Sequence, residues 1–428
     1  MTAAFYTLGC KVNQYESEAM AEQLMKNGYT IVNHNEKADV YVINSCTVTA
    51  SGDQKTRQAV RRFKKNNPDS CVVLTGCMPQ AYPEKAKELY QADIVIGNKN
   101  NDTLVSALKE FFDTKERLVN IELHENHDSF RGTLISDFQN RTRAFLKIQD
   151  GCNRFCTYCI IPTSRGRSRS KPLADIQKEL DSIAENGYKE VVLVGINLSS
   201  YGKDIGEKFT SAVKLACNTK GIERVRLGSL EPDHITDEVI DELASLPNFC
   251  PQFHISLQSG CDNTLKRMNR HYTADEYYHL CQKLRSSFED ATITTDIMVG
   301  FSLESEEDFE ESLDFARKIA FEKVHVFPYS VRTGTRAEKL PQLEKHVKEE
   351  RAKRMTEVTE EIRQEFLREQ IGKTMEVLVE TTNKNGMYEG YTKNYTPVLI
   401  DCTEDMCSEI IKVKITEVKG DYCMGELI

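Results

Sequence analysis

The chain has 428 residues, 39% of them hydrophobic and 29% charged, the proportions of an ordinary globular protein with room for two or three domains. No stretch approaches the roughly 20 apolar residues of a membrane span, and residues 1–10 lack the basic flank and cleavage site of a secretory signal, which points to the cytoplasm and away from the membrane. A formal net charge of −10 argues against a generally basic, nucleic-acid-coating surface; fourteen cysteines in a cytoplasmic chain favour metal binding or catalysis over disulfides.

In chain order, residues 4–8, 39–43, 71–74 and 93–96 read as short strands, separated by helical patterns over 14–26, 52–65 and 83–89. Strand–helix alternation of this kind predicts a parallel, doubly wound sheet. The second of these helices is basic, with Lys55, Arg57, Arg61, Arg62, Lys64 and Lys65, so a local patch could meet RNA although the whole chain is acidic. Residues 114–142 are polar and aperiodic and are expected to be a linker, which bounds a first domain at 1–113. From residue 143 the alternation resumes with six strand patterns (144–148, 190–194, 224–227, 252–257, 292–299, 324–327) and helices between them. That repetition predicts a full or partial (β/α) barrel over 143–366, with its chemistry at the carboxyl ends of the strands. A long charged helix over 343–370 leads into residues 367–428, which are rich in Val, Ile, Thr and Gly and read as a small all-β barrel.

Two sets of three cysteines carry the chemistry. Cys152, Cys156 and Cys159 lie within eight residues, directly after the first barrel strand. Structural zinc normally takes four protein ligands, whereas three thiolates on a 4Fe–4S cluster leave one iron open to a substrate. A zinc site completed by a distant fourth ligand is the other reading. Cys10, Cys46 and Cys77 are far apart in sequence, yet each follows the end of a predicted parallel strand, and such ends share one edge of the sheet where ligands bind. Gly9 and Gly76 are expected to let the backbone approach a bulky cofactor; three buried cysteines placed there by chance are the alternative. Cys71, inside its strand, and Cys217, Cys250, Cys261, Cys281, Cys402, Cys407 and Cys423 read as core or surface residues.

The Cys152–Cys159 spacing resembles the radical S-adenosylmethionine (SAM) signature. Further segments extend the resemblance over nearly the whole chain: Cys10-Lys11-Val12-Asn13-Gln14-Tyr15-Glu16-Ser17, Arg226-Leu227-Gly228-Ser229-Leu230-Glu231-Pro232, His254-Ile255-Ser256-Leu257-Gln258-Ser259-Gly260, Met268-Asn269-Arg270 and His325-Val326-Phe327-Pro328-Tyr329-Ser330. Together they resemble the methylthiotransferases, and the Lys11–Glu16 segment resembles the subgroup acting on N6-threonylcarbamoyladenosine. One turn departs, since Phe301-Ser302-Leu303-Glu304 stands where the family usually has Phe-Pro-Gly-Glu.

The resemblance implies two 4Fe–4S clusters, on Cys152/Cys156/Cys159 and on Cys10/Cys46/Cys77, facing each other across a shared cavity. The first cleaves SAM to a 5′-deoxyadenosyl radical; the second holds or receives the sulfur. It implies transfer of a methylthio group to C2 of threonylcarbamoyladenosine at position 37 of tRNA, next to the anticodon, with sulfur and electron donors that the sequence does not identify. Tyr158 corresponds to the aromatic position near the adenine of SAM, and Gly195 and Asn197 to the grip on its amino group. Glu231 and Gln258 sit at strand ends where they could touch SAM, although a loop-stabilising hydrogen bond is an equal reading for these and for Asn197. Residues 367–428 resemble TRAM domains, which bind RNA, against the alternative of a structural cap. Arg165, Arg167 and Arg169 follow the cysteine loop and could hold phosphates of the anticodon stem, or form a solvated run. Rival activities are methylthiolation of isopentenyladenosine in tRNA or of a ribosomal-protein aspartate. From a different class comes a non-catalytic iron–sulfur RNA-binding or redox-sensing protein.

Overall fold

Six short runs open the chain: β1 (Thr2–Thr7), β2 (Thr30–Val32), β3 (Val40–Ser45), β4 (Cys71–Gly76), β5 (Ile94–Ile96) and β6 (Leu118–Asn120). They form one sheet in the order β2-β1-β3-β4-β5-β6, parallel at every step. Every residue of β3 and β4 is buried, which is why both read as unbroken apolar runs: helices cover the two faces of a parallel sheet. The computed structural model describes residues 1–132, 135, 142–383, 385–402 and 404–428.

The β2 and β6 strands were not expected. Each is three residues long and half exposed, too short for a period to register. β6 lies inside the segment expected to be a linker from residue 114, so that segment first completes the sheet. Residues 133, 134 and 136–141 of the expected linker lie outside the described residues. The part that is described is anchored to its surroundings: His124 contacts Asp128 at 3.1 Å and Asn98 at 3.0 Å.

The second unit contains β7 (Arg143–Lys147), β8 (Gln149–Asp150), β9 (Arg169–Ser170), β10 (Glu190–Val194), β11 (Arg224–Leu227), β12 (Ser229–Leu230), β13 (Gln252–Ile255), β14 (Thr292–Val299) and β15 (Lys323–Pro328). Two parallel sheets, β7-β10-β11 and β12-β13-β14-β15, meet at Gly228, whose N–H still donates to Leu193 at 2.8 Å. The result is a partial barrel. Its helices start where the sequence places caps: Thr273 with Glu276, and Ser305 with Asp308, form capping boxes.

The last unit is a closed barrel of β16 (Thr374–Thr382), β17 (Tyr388–Thr392), β18 (Pro397–Ile400), β19 (Ile410–Lys419) and β20 (Tyr422–Leu427), in the order β16-β17-β18-β20-β19. It is docked onto the amino ends of the partial-barrel strands. Arg224 donates to the carbonyls of Tyr391 and Glu376, and Arg226 to those of Lys393 and Thr392, at 2.9–3.2 Å. The helix Lys345–Glu369 joins the two, with Met355 in the central core and Leu367 in the small barrel's core. Among the described residues no helix is long and apolar enough to cross a membrane.

Candidate active site

The first cysteine group is assembled by the register of the sheet. Cys10 caps the helix α1 (Lys11–Lys26) after β1, Cys46 follows β3, and Cys77 opens a short helix after β4. Because β1, β3 and β4 are neighbours, their carboxyl ends are adjacent. Asn13, one turn into α1, draws them together. Its Nδ2 donates to the carbonyls of Leu8 (2.8 Å) and Ser45 (2.9 Å), and its Oδ1 lies 3.8 Å from Cys10 Sγ and 3.9 Å from Cys77 Sγ. Gly9 and Gly76 have φ of +104° and +95°. A Cβ on Gly9 would stand 2.9 Å from Cys46 Cβ, and one on Gly76 would stand 2.5 Å from Ser45 N. These glycines therefore admit the neighbouring strand of the protein, and Gly9 also lines the cavity beside Cys10. Burial, and then Cys77, push the Cys46 thiol up to about 12.

Arg165 ties this group to the partial barrel, and here the sequence reading is corrected. Expected to hold phosphates, Arg165 is fully buried. Its Nε donates to Cys77 Sγ at 3.2 Å, and its terminal nitrogens bind Glu16 and Asn13. Arg169 is buried as well; it donates to the carbonyls of Arg165 and Arg167 at 2.8 and 2.9 Å and pairs with Asp150 at 3.3 Å. The cause is electrostatic. Two buried carboxylates, Glu16 and Asp150, require cations, and Lys147 alone (2.7 Å to each) would serve both. Burial would raise Asp150, but Lys147, Arg165 and Arg169 hold it well below the usual carboxylate range. Only Arg167 is exposed, its guanidinium 4.6 Å above the Phe155 ring.

The second group lies on one loop after β8. Cys152 accepts from Arg154 N–H at 3.4 Å and Asn197 Nδ2 at 3.7 Å, and Cys156 accepts from Arg270 Nη1 at 3.4 Å. Arg270 also grips Glu231 at 2.5 Å. Burial pushes Cys152 up to about 11 and raises Cys159 further, with Cys156 adding to it. Of the residues expected to hold SAM, Asn197 and Glu231 are thus joined to the cysteine loop. Tyr158 sits against Phe301 with ring centres 6.1 Å apart. Gly195 lines the barrel interior. Gln258, at φ +68°, bridges to β14 through its backbone. The departing turn keeps a left-handed residue, Leu303 at φ +62°, above the buried Phe301. Sequence reasoning missed Arg270 as a partner of the loop, although it closes the Met268-Asn269-Arg270 segment, and missed Asn13, which lies inside the Cys10–Ser17 segment.

The chemistry of these donors fits clusters. In neither group do all three sulfurs lie within 4.8 Å of one another, wider than the roughly 4 Å that four ligands at Zn–S distances of about 2.3 Å impose. N–H donors from Arg165, Arg270 and Asn197 aimed at sulfur suit anionic thiolates of a cluster. A third set, Cys261, Asp308 and Glu311, is close enough for one ion, but Arg267 already pairs with Asp308 at 2.5 Å.

Two spaces adjoin the cysteines. A cavity of about 770 Å³ runs down the barrel interior from Gly9, Cys10 and Lys11, past Gly195, His254, Asp296 and His325, to Tyr391 and Tyr395 of the C-terminal barrel. These two tyrosines are stacked at 4.5 Å. Cys156 and Cys159 line a separate opening of about 490 Å³ that also touches Gln80 and Gly334.

Comparison with known proteins matches each unit. Residues 2–97 match the family described as Uncharacterized protein family UPF0004, residues 146–316 the Radical SAM superfamily, and residues 368–428 the TRAM domain. Over 434 aligned residues the chain is 37% identical to the threonylcarbamoyladenosine tRNA methylthiotransferase MtaB of Bacillus subtilis, covering 100% of this chain and 96% of that protein. It is 35% identical over 433 residues to the tRNA-2-methylthio-N(6)-dimethylallyladenosine synthase of Caldicellulosiruptor saccharolyticus, covering 99% and 91%. Among solved structures, the radical SAM methyltransferase TsrM of Kitasatospora setae, with cobalamin and a [4Fe-4S] cluster bound, gives a TM-score of 0.57 at 12% identity over 76% of this chain and 72% of that one. That likeness is one of fold.

Proposed function

This chain belongs to the radical SAM methylthiotransferases, and from that membership we propose that it adds a methylthio group to C2 of N6-threonylcarbamoyladenosine at position 37 of tRNA. The observation that carries the reading is the joining of the two cysteine groups by one buried arginine. Arg165 follows the loop group in sequence and donates to Cys77 of the strand-end group. Cys152, Cys156 and Cys159 would hold one 4Fe–4S cluster and Cys10, Cys46 and Cys77 a second. When bound, the first would supply a 5′-deoxyadenosyl radical from SAM, and the second would hold or receive the sulfur to be transferred. An unactivated aromatic C–H explains the need for a radical, since acid–base groups cannot open it.

The protein's own contribution is placement. Arg270 and Asn197 fix the loop thiols, with Glu231 held on Arg270; Asn13 and Arg165 fix the strand-end thiols. The interior cavity gives an unstacked base a route to Cys10 away from bulk water, as single-stranded RNA recognition requires. We place the working units at 1–113, 143–366 and 367–428, the last as the TRAM-type RNA-binding part. For the tRNA backbone, the outer face of the helix α2 (Ala50–Asn66) replaces the buried arginines. On it Lys55, Arg57, Arg61 and Lys65 reach solvent with no hydrogen bond or ion pair among the described residues.

The test is anaerobic reconstitution followed by iron counting, SAM cleavage and mass analysis of tRNA nucleosides. The intact chain should hold about eight irons. Replacing Cys152, Cys156 and Cys159 by Ala should leave about four and end SAM cleavage. Replacing Cys10, Cys46 and Cys77 should also leave about four, keep cleavage and end methylthio transfer. Full iron content in the latter variant would refute the second cluster.

A further inference from the structure

The interior cavity contains a half-buried cation that no carboxylate pairs among the described residues. Lys11, the first residue of α1 and the neighbour of Cys10, lines the cavity at its strand-end mouth. Its ammonium has no hydrogen bond or ion pair among the described residues. The charged groups that act on it are Arg143, Arg226 and Glu190. Glu190 is already committed, to Arg226 at 2.9 Å, Arg143 at 3.8 Å and Arg224 at 3.9 Å. Glu380, the other carboxylate on Arg143, pairs with it at 2.7 Å. Glu376 lies 3.9 Å from Arg224, so four cations face three carboxylates, and Lys11 is the one left over.

The other charged groups along the same cavity are mostly matched. Asp296 meets His254 at 3.2 Å, Glu322 meets Arg285 at 3.1 Å, and Arg363 meets Asp421 at 3.9 Å. Lys323, at the far end, is exposed and keeps its ammonium in water. An unmatched ammonium inside a protein is costly unless an anion joins it. The free cation thus marks where an anionic part of the cavity's occupant belongs.

We propose that Lys11 is a carboxylate subsite, which pairs with the threonyl carboxylate of the modified adenosine while the base presents its edge to the strand-end cysteines. This rests on the substrate reading above and deepens it by naming the group that reads the modification. The two substrates named for the relatives differ in just this property: threonylcarbamoyl bears a carboxylate, whereas dimethylallyl is apolar and would leave Lys11 unpaired. Sites built around a buried polar group discriminate strongly against a partner that lacks its complement.

The experiment measures binding of anticodon stem-loops to the full reconstituted chain by fluorescence anisotropy, with the adenosine unmodified, dimethylallylated or threonylcarbamoylated. The intact protein should favour the threonylcarbamoylated loop. In Lys11→Met that preference should collapse by about 10- to 100-fold, the worth of a charge-assisted hydrogen bond, while Lys11→Arg keeps most of it. Iron content of each variant, compared with the intact chain, separates loss of the subsite from loss of the neighbouring cluster. An equal loss for all three loops would make Lys11 a backbone-phosphate contact and overturn the subsite, with the substrate reading intact. A preference of the intact protein for the dimethylallylated loop would overturn both.

Discussion

The two cysteine groups solve one chemical problem by opposite means. Cys152, Cys156 and Cys159 are brought together by a short loop, so their spacing is written locally and needs only a strand end to start from. Cys10, Cys46 and Cys77 are brought together by parallel pairing of β1, β3 and β4, so their geometry depends on the whole first sheet. The loop group is steadied from outside by the side chains of Arg270 and Asn197; the strand-end group depends on glycines and an asparagine that pin neighbouring strands. Arg165 is where the two designs meet, since it belongs to the loop side in sequence and to the strand-end side in contact.

That difference can be broken by substitution, and the largest effect is expected at Arg165. Arg165→Met leaves Glu16 and Asp150 with Lys147 and Arg169 alone, and removing one partner from a buried ionic network costs about 3–5 kcal/mol. Thermal unfolding of the reconstituted protein should show a marked drop, with iron lost first from the strand-end group. Equal iron loss from both groups would show that Arg165 does not separate them.

Gly76→Ala probes the strand-end design without touching charge. Its Cβ would meet Ser45 backbone atoms at 2.5–2.6 Å in a conformation of φ +95°, costing about 1–3 kcal/mol in backbone strain and displaced neighbours. Iron content should fall from about eight toward four with SAM cleavage retained; unchanged iron would mean the sheet register is not what holds this group.

The smallest effect sharpens the comparison on the RNA side. Arg57→Glu with Arg61→Glu, on the helix that follows Cys46, should weaken tRNA binding roughly threefold to tenfold and flatten its dependence on salt by about one to two units of slope. Arg167→Glu, on the loop side, should change little. A larger effect from Arg167 would move the RNA path to the loop group.

Much of this was legible in the sequence because it is periodic or local. The strand–helix alternation, the cysteine loop and the apolar C-terminal strands all declare themselves within a dozen residues. The strand-end cysteines were legible only through a topological rule, that parallel strands share a carboxyl edge. Arg165 and Arg169 were misread because three basic residues in five resemble a solvated patch. The burial of Arg165 depends on Glu16, 149 positions away, which no local window contains. β2 and β6 escaped for lack of length, and the stranded charge of Lys11 depends on which acids Arg143, Arg224 and Arg226 consume.

The pairing of Glu16 with Lys147 and Arg165 also has a consequence for how the chain is made. When residues 1–97 have left the ribosome, the first sheet has five of its strands and all three of its strand-end cysteines. Yet Val12, Tyr15 and Ala19 of α1 belong to the core of the partial barrel, and the cations for Glu16 are still to be synthesised. Until about residue 165 emerges, the nascent first unit carries an apolar helix face and an acidic group that have no place to go. Domains generally fold as units from the amino end; here the first to appear must wait for the second, and the interval is one in which a chaperone or an early-bound cluster has something to protect.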